Sequence, residues 1–234
     1  MPRGVRQFEI GGIYHIINRG VEKRTIFLKS QDYSRFILGL EFFNDHNAIN
    51  LWELVTKAAR DNKSLFEERR RSRQPIVELM AFALMPNHYH LIVREITDGG
   101  TSLFMRKMGG YSMYFNKQYD RVGPLFQSRF KAVHIQDDTQ LNIVFLYVHT
   151  NPVELKEPMW KERKVQNFKG AIDWLEEYRW SSYHDYMKKF TFPHATQRDF
   201  FLDFYGGEKV CREAVENWIK MKARITNVEL TVME

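Results

Sequence analysis

The order of elements that can be read along this chain constrains its fold more than any single residue does. Ile13-Tyr14-His15-Ile16-Ile17 reads as a first strand, ending in the turn Asn18-Arg19-Gly20. Ser30 and Asp32 stand where a helix is capped, and Tyr33, Phe36, Ile37, Leu40 and Phe43 give it an apolar stripe to about Asp45. Two strands follow, Glu78 to Leu84 and His88 to Arg94, joined by Met85-Pro86-Asn87, which is sound chemistry for a tight turn. A helix from Thr101 or Ser102 to about Tyr119, a break at Gly123-Pro124 and a strand from Phe130 to Ile135 come next. Strand–helix–strand–strand–helix–strand is the split βαβ order. It predicts an α+β fold, a ferredoxin-like antiparallel sheet with helices on one face. Asp137, Asp138 or Thr139 then caps a further helix reaching about Asn151, and a helical C-terminal extension follows, with an amphipathic helix from about Glu208 to Ala223. The division expected is a main domain over residues 1–153 and an extension over 154–234 that packs on or beside it.

The 234 residues are 44% hydrophobic and 15% aromatic, enough to bury a core and too apolar for a disordered chain. No apolar run is long enough to span a membrane. The basic start Met1-Pro2-Arg3-Gly4-Val5-Arg6-Gln7 has no apolar core behind it, so secretion is not expected. One cysteine, Cys211, excludes an internal disulfide framework and a multi-cysteine zinc cluster. A cytoplasmic protein is the expectation.

A net charge of +6 favours polyanionic partners. Its distribution says more. Arg106, Lys107, Lys117, Arg121, Arg129 and Lys131 face one acid, Asp120, and are interleaved with Tyr111, Tyr114, Phe115, Tyr119, Phe126 and Phe130. Cations beside flat rings suit single-stranded nucleic acid, although an amphipathic helix with its rings in the core explains most of them equally well. From about Trp52 to Gln74 the chain is highly charged, ending in Glu67-Glu68-Arg69-Arg70-Arg71-Ser72-Arg73. This reads as a solvated helical insertion or flexible arm, with a DNA-contacting arm as the functional alternative.

His88 and His90 stand two apart on a strand, so both imidazoles leave the same face of the sheet. Such a pair can hold a divalent metal, or merely cover a half-exposed face. With one oxygen ligand and open positions it suits Mn²⁺, Mg²⁺ or Zn²⁺. On the later helix Leu141, Val144, Phe145 and Val148 form the buried stripe. Tyr147 falls at the edge of that stripe and Asn151 lies one turn further on, with Pro152 ending the helix. His149 projects from another face, for structure or for DNA contact.

Four segments occur in order: Met85-Pro86-Asn87-His88-Tyr89-His90-Leu91, Gly123-Pro124-Leu125-Phe126-Gln127-Ser128-Arg129-Phe130-Lys131, Tyr147-Val148-His149-Thr150-Asn151-Pro152-Val153 and Trp180-Ser181-Ser182-Tyr183. Together with Asn18-Arg19-Gly20 they resemble the single-tyrosine HUH transposases, in the branch of the repeat-associated tyrosine transposases. The resemblance spans roughly residues 8 to 187.

It implies an enzyme that cleaves and rejoins single-stranded DNA, often beside a hairpin, through a 5′-phosphotyrosine intermediate. His88 and His90 match the metal-binding histidines, Tyr147 the nucleophile and Asn151 the third ligand of a Mg²⁺ or Mn²⁺ ion. Arg106, Lys107, Arg129 and Lys131 are candidates for backbone phosphates, with His149 and Trp180 as further DNA contacts. The working unit is expected to be a monomer or a homodimer. Two other readings stay open: a catalytically silent nucleic-acid-binding domain derived from a transposase, and a zinc-dependent hydrolase that uses water. Neither accounts for the pairing of Tyr147 with Asn151.

Overall fold

The computed structural model describes residues 7–47, 49–61, 64–160, 165 and 167–222. The basic residues 1–6, residues 62–63 of the charged segment and Ala223 lie outside the described residues.

Strands β1 (Ile13–Arg19), β2 (Val77–Met85), β3 (His88–Glu95) and β4 (Lys131–Ile135) form one sheet in the order β2-β3-β1-β4, with every neighbouring pair antiparallel. The split βαβ expectation is met, and it puts the first strand of the chain at the centre of the sheet. One face carries Tyr14, Ile16, Leu91 and Val93, which share a core with α1 (Ser30–Phe42). The charged segment forms α2 (Leu51–Asp61) and α3 (Ser64–Ser72). The expected long helix after β3 divides at Gly109 into α4 (Gly100–Met108) and α5 (Gly110–Gln118), which complete the layer over this face.

Beyond β4 the chain covers the opposite face. Helix α6 (Asp138–Thr150) opens on the Asp137 carboxylate, which accepts from Gln140 N at 2.8 Å. It is followed by a 3₁₀ turn (Asn151–Leu155) and by α7 (Phe168–Glu177), α8 (Tyr183–Tyr186), α9 (Asp199–Tyr205) and α10 (Glu208–Lys222). Ala81, Ala83 and Ile92 of the sheet, Phe145 and Val148 of α6, and Phe201, Cys211, Val215 and Ile219 of the last helices share one core. The C-terminal extension therefore sandwiches α6 against the sheet. Burial pushes the Cys211 thiol up to about 12, with Glu208 adding to it.

Trp180-Ser181-Ser182-Tyr183 closes the outer edge of β2, where an unpaired strand would template aggregation. Leu84 N donates to Trp180 O, Ser182 N donates to Phe82 O, and the Ser182 hydroxyl accepts from Phe82 N at 2.9 Å. The phenols of Tyr178 and Tyr186 donate to the carbonyls of Leu84 and Met80, the latter beside the irregularity between Leu79 and Ala81. Ser182→Ala should leave Phe82 N–H buried without a partner and cost about 1–3 kcal/mol in a urea titration.

One expectation needs correction. The charged segment is not simply a solvated arm. Arg70 pairs with Glu41, Arg69 reaches Asp45 at 2.8 Å and Arg73 donates to Glu41 O, so α3 is tied to the end of α1. These three guanidiniums are already engaged within the protein, which counts against a free DNA-binding arm. Tyr147, at the edge of the α6 stripe, is buried as well. Every residue of α6 from Val144 to Thr150 is buried, because the C-terminal helices supply a second apolar surface that stripe periodicity on one face cannot register.

Candidate active site

Facing residues across antiparallel strands share a side of the sheet. Ala83, His90, Ile17 and Lys131 make one such row, and Met85, His88 and Arg19 the next. His15 stands on the same side, opposite Ile92 and Val133. This is the side that α6 covers. The Tyr147 ring lies edge-on to His90, with centroids 5.3 Å apart, and edge-on to His15 at 6.1 Å. Residues nearly sixty positions apart, on a strand and a later helix, thus meet at the sheet surface.

Each strand histidine is held through its Nδ1. His88 Nδ1 lies 2.6 Å from Asn87 Oδ1, and because that oxygen can only accept, the proton sits on Nδ1. His90 Nδ1 lies 3.0 Å from His15 Nε2, and the two rings stack at 5.1 Å. Burial, reinforced by the charge of Lys131, pushes the His15 imidazole down to about 3, so it is neutral near neutral pH. The turn that presents Asn87 is pinned in place: Gly20 N donates to Asn87 O, and Ile26 N and Phe27 N donate to Pro86 O. Gly20 is required there, since a Cβ would collide with the Arg24 carbonyl.

Among the described residues, no three His, Cys, Asp or Glu side chains form a cluster that could hold a metal on their own. The donor set nevertheless fits a divalent cation. Imidazoles held at Nδ1 match the usual arrangement of ligating histidines, in which Nε2 is the coordinating nitrogen. Asn151, one turn beyond Tyr147 and still in helical conformation, has a buried Oδ1 with no hydrogen-bond partner. A hard cation of the Mg²⁺ or Mn²⁺ type accepts such an oxygen readily.

A cavity of about 440 Å³ opens beside His88, lined by Arg19, Lys23, Asn87 and Glu154 among others. Glu22 and Lys23 in the turn after β1 have φ of 55° and 60°, a left-handed conformation that costs ordinary residues of order 1–2 kcal/mol each. Of these cations, Lys23 was not singled out by strand and motif reading, and Arg19 was named only as part of the Asn18-Arg19-Gly20 turn. His15 was missed in the same way, read as one residue of an apolar strand.

The basic candidates divide between the two faces. Lys131 is exposed on the histidine side, and Arg129 is exposed in the segment that Gln127 N ties to Arg19 O at 3.0 Å. Arg106 and Lys107 lie on α4, across the sheet from Tyr147, and Lys107 Nζ is occupied by the carbonyls of Asp45 and Asn47. His149 is fully buried, with Nε2 2.8 Å from the Ser182 hydroxyl, and burial pushes it down to about 3. Of its two expected roles it takes the structural one. Trp180 stacks on Tyr33 at 4.7 Å on the α1 side and is not part of the tyrosine site. The rings of 106–131 are likewise mostly structural, with Tyr111 and Phe115 in the core and the Tyr114 and Tyr119 phenols donating to Asp32.

No curated protein matches the chain. Among solved structures, a REP-associated tyrosine transposase bound to a REP hairpin is similar at 18% identity, over 85% of this chain and 93% of that one, with a TM-score of 0.46. The family model described as IS200-like transposase matches residues 11–151. That match begins just before β1 and ends on Asn151, taking in both strand histidines and Tyr147: the chain belongs to the IS200-like transposase family.

Proposed function

We propose that the protein cleaves and rejoins single-stranded DNA, in hairpin-containing form, with Tyr147 as nucleophile. The observation that carries this reading is the Tyr147 ring set edge-on to His90, beside two histidines each anchored through Nδ1. Membership of a transposase family supports it.

A tyrosine phenol in water ionises near pH 10, so attack at neutral pH needs help from its surroundings. His88, His90 and Asn151 would hold a divalent cation, whose positive charge offsets that of the scissile phosphate. The Tyr147 oxygen attacks phosphorus and the bond to the 3′ oxygen breaks, giving a 5′-phosphotyrosine and a free 3′-hydroxyl. In balance, the phenol loses a proton and the leaving oxygen gains one. The phosphodiester energy is retained in the protein linkage, so a 3′-hydroxyl from another strand can reverse the step without ATP. Arg19, Lys23, Arg129 and Lys131 are the cations placed to hold DNA backbone along this side.

The test uses end-labelled single-stranded DNA hairpins from repeats flanking the gene, incubated with the protein and Mg²⁺ or Mn²⁺ and run on denaturing gels. The expected result is an SDS-resistant adduct that needs the cation and falls at least about a hundredfold in His88→Ala. Salt-sensitive binding by both proteins with no adduct would identify a silent DNA-binding derivative instead.

A further inference from the structure

His15 belongs to none of the motifs that define the site, yet it touches both halves of it. Its Nε2 meets His90 Nδ1 at 3.0 Å, its ring stacks on His90 and its edge faces Tyr147. It is fully buried at the centre of the sheet, and its other nitrogen, Nδ1, has no hydrogen-bond partner. An imidazole pair of this kind shares one proton across the contact, and either nitrogen can donate. If His15 donates, His90 keeps its remaining proton on Nε2 and has no lone pair there for a cation. If His15 accepts, the His90 proton sits on Nδ1 and Nε2 is a ligand. Either arrangement leaves His15 Nδ1 without a hydrogen-bond partner, so that atom does not decide between them.

We propose that His15 is a positioning residue for the cation site: it accepts the Nδ1–H of His90, fixing the ring and the tautomer that offers Nε2. This rests on the reading of His88 and His90 as cation ligands, and it gives the two histidines different supports. His88 is oriented by the Asn87 side chain next to it, an oxygen that can only accept. His90 is oriented by a residue on the neighbouring strand that can do either. Occupation of the site therefore draws the proton to one side of the His15–His90 contact, and the position of that proton reports whether a cation is bound. Because His15 also lies against the Tyr147 ring, the support of the ligand and the seat of the nucleophile are one side chain.

Glutamine places an oxygen near the position of an imidazole Nε2, so His15→Gln keeps an acceptor for His90, whereas His15→Phe keeps a ring and removes it. Mn²⁺ binding to the full chain is measured by titration calorimetry for wild type, both His15 variants and His90→Ala, with melting temperatures as the fold control. The expected result is a Kd weakened roughly 10–100-fold in His15→Phe and held within about threefold of wild type in His15→Gln. Long-range ¹H–¹⁵N spectra of the wild-type protein with Mg²⁺ should place the His90 proton on Nδ1, a readout that needs no variant to fold. Wild-type affinity in His15→Phe, equal loss in both folded His15 variants, or a His90 proton on Nε2 overturns the proposal. Wild-type affinity in His90→Ala sinks the cation site and this inference together, whereas loss there alongside wild-type affinity in His15→Phe sinks only the role of His15.

Discussion

Tyr147→Phe should fold, bind DNA and form no covalent adduct at all. The ring that packs edge-on against His90 and His15 is kept, and only the hydroxyl is removed. The cost in stability should not exceed about 1 kcal/mol, the ordinary net value of one hydrogen bond. The cost in chemistry is complete, because phenylalanine carries no atom able to attack phosphorus. Gel shifts in parallel with the denaturing gels separate the two effects: the shifted band persists while the SDS-resistant species disappears. An adduct of undiminished yield from Tyr147→Phe would place the nucleophile on another residue.

The largest effect on stability is expected far from that chemistry. The Asp32 carboxylate in the first turn of α1 is fully buried. It accepts from Leu28 N at 2.8 Å and Lys29 N at 2.9 Å, and from the phenols of Tyr114 at 3.0 Å and Tyr119 at 2.7 Å. Desolvation comes first, then the hydrogen bond to Asp32 and its charge, in pushing the Tyr119 phenol up to about 12 and raising Tyr114 as well. Both phenols therefore stay protonated and donate. Asp32→Ala leaves four donors without their acceptor where α1 meets α5, and should lower unfolding free energy by roughly 3–5 kcal/mol. A urea titration checks it, and a loss under about 1 kcal/mol would mean that water or another side chain takes over these donors.

The strands were legible because alternation and turn chemistry act locally. Met85-Pro86-Asn87 gives a tight turn whatever lies around it, and His88 and His90 share a face by backbone geometry alone. What sequence reading missed depends on partners remote in the chain. His15 looks like any residue of Ile13-Tyr14-His15-Ile16-Ile17 until Ile17 is known to pair with His90, and no local pattern encodes that register. Tyr147 reads as the edge of an apolar stripe because periodicity registers one buried face, whereas α6 is buried on two: Phe145 packs on Phe201 and Tyr147 lies against His15 and His90. Arg69, Arg70 and Arg73 read as a solvated run because their acids, Glu41 and Asp45, lie beyond another helix. Arg106 and Lys107 belong to a basic stretch in sequence, but the sheet stands between them and Lys131.

The central position of β1 has a kinetic consequence. Ile13 waits for Arg94 on one side and for Ile135 on the other, so the strand that organises the sheet is made early and paired late. The β2–β3 hairpin can close from local contacts, but the sheet gains its middle only after long loops have been closed. Until α6 arrives from beyond β4, Ala81, Ala83 and Ile92 face water beside His90. The sheet face that α6 covers is therefore completed only after β4 and α6 have been made, and it stays open to aggregation until then.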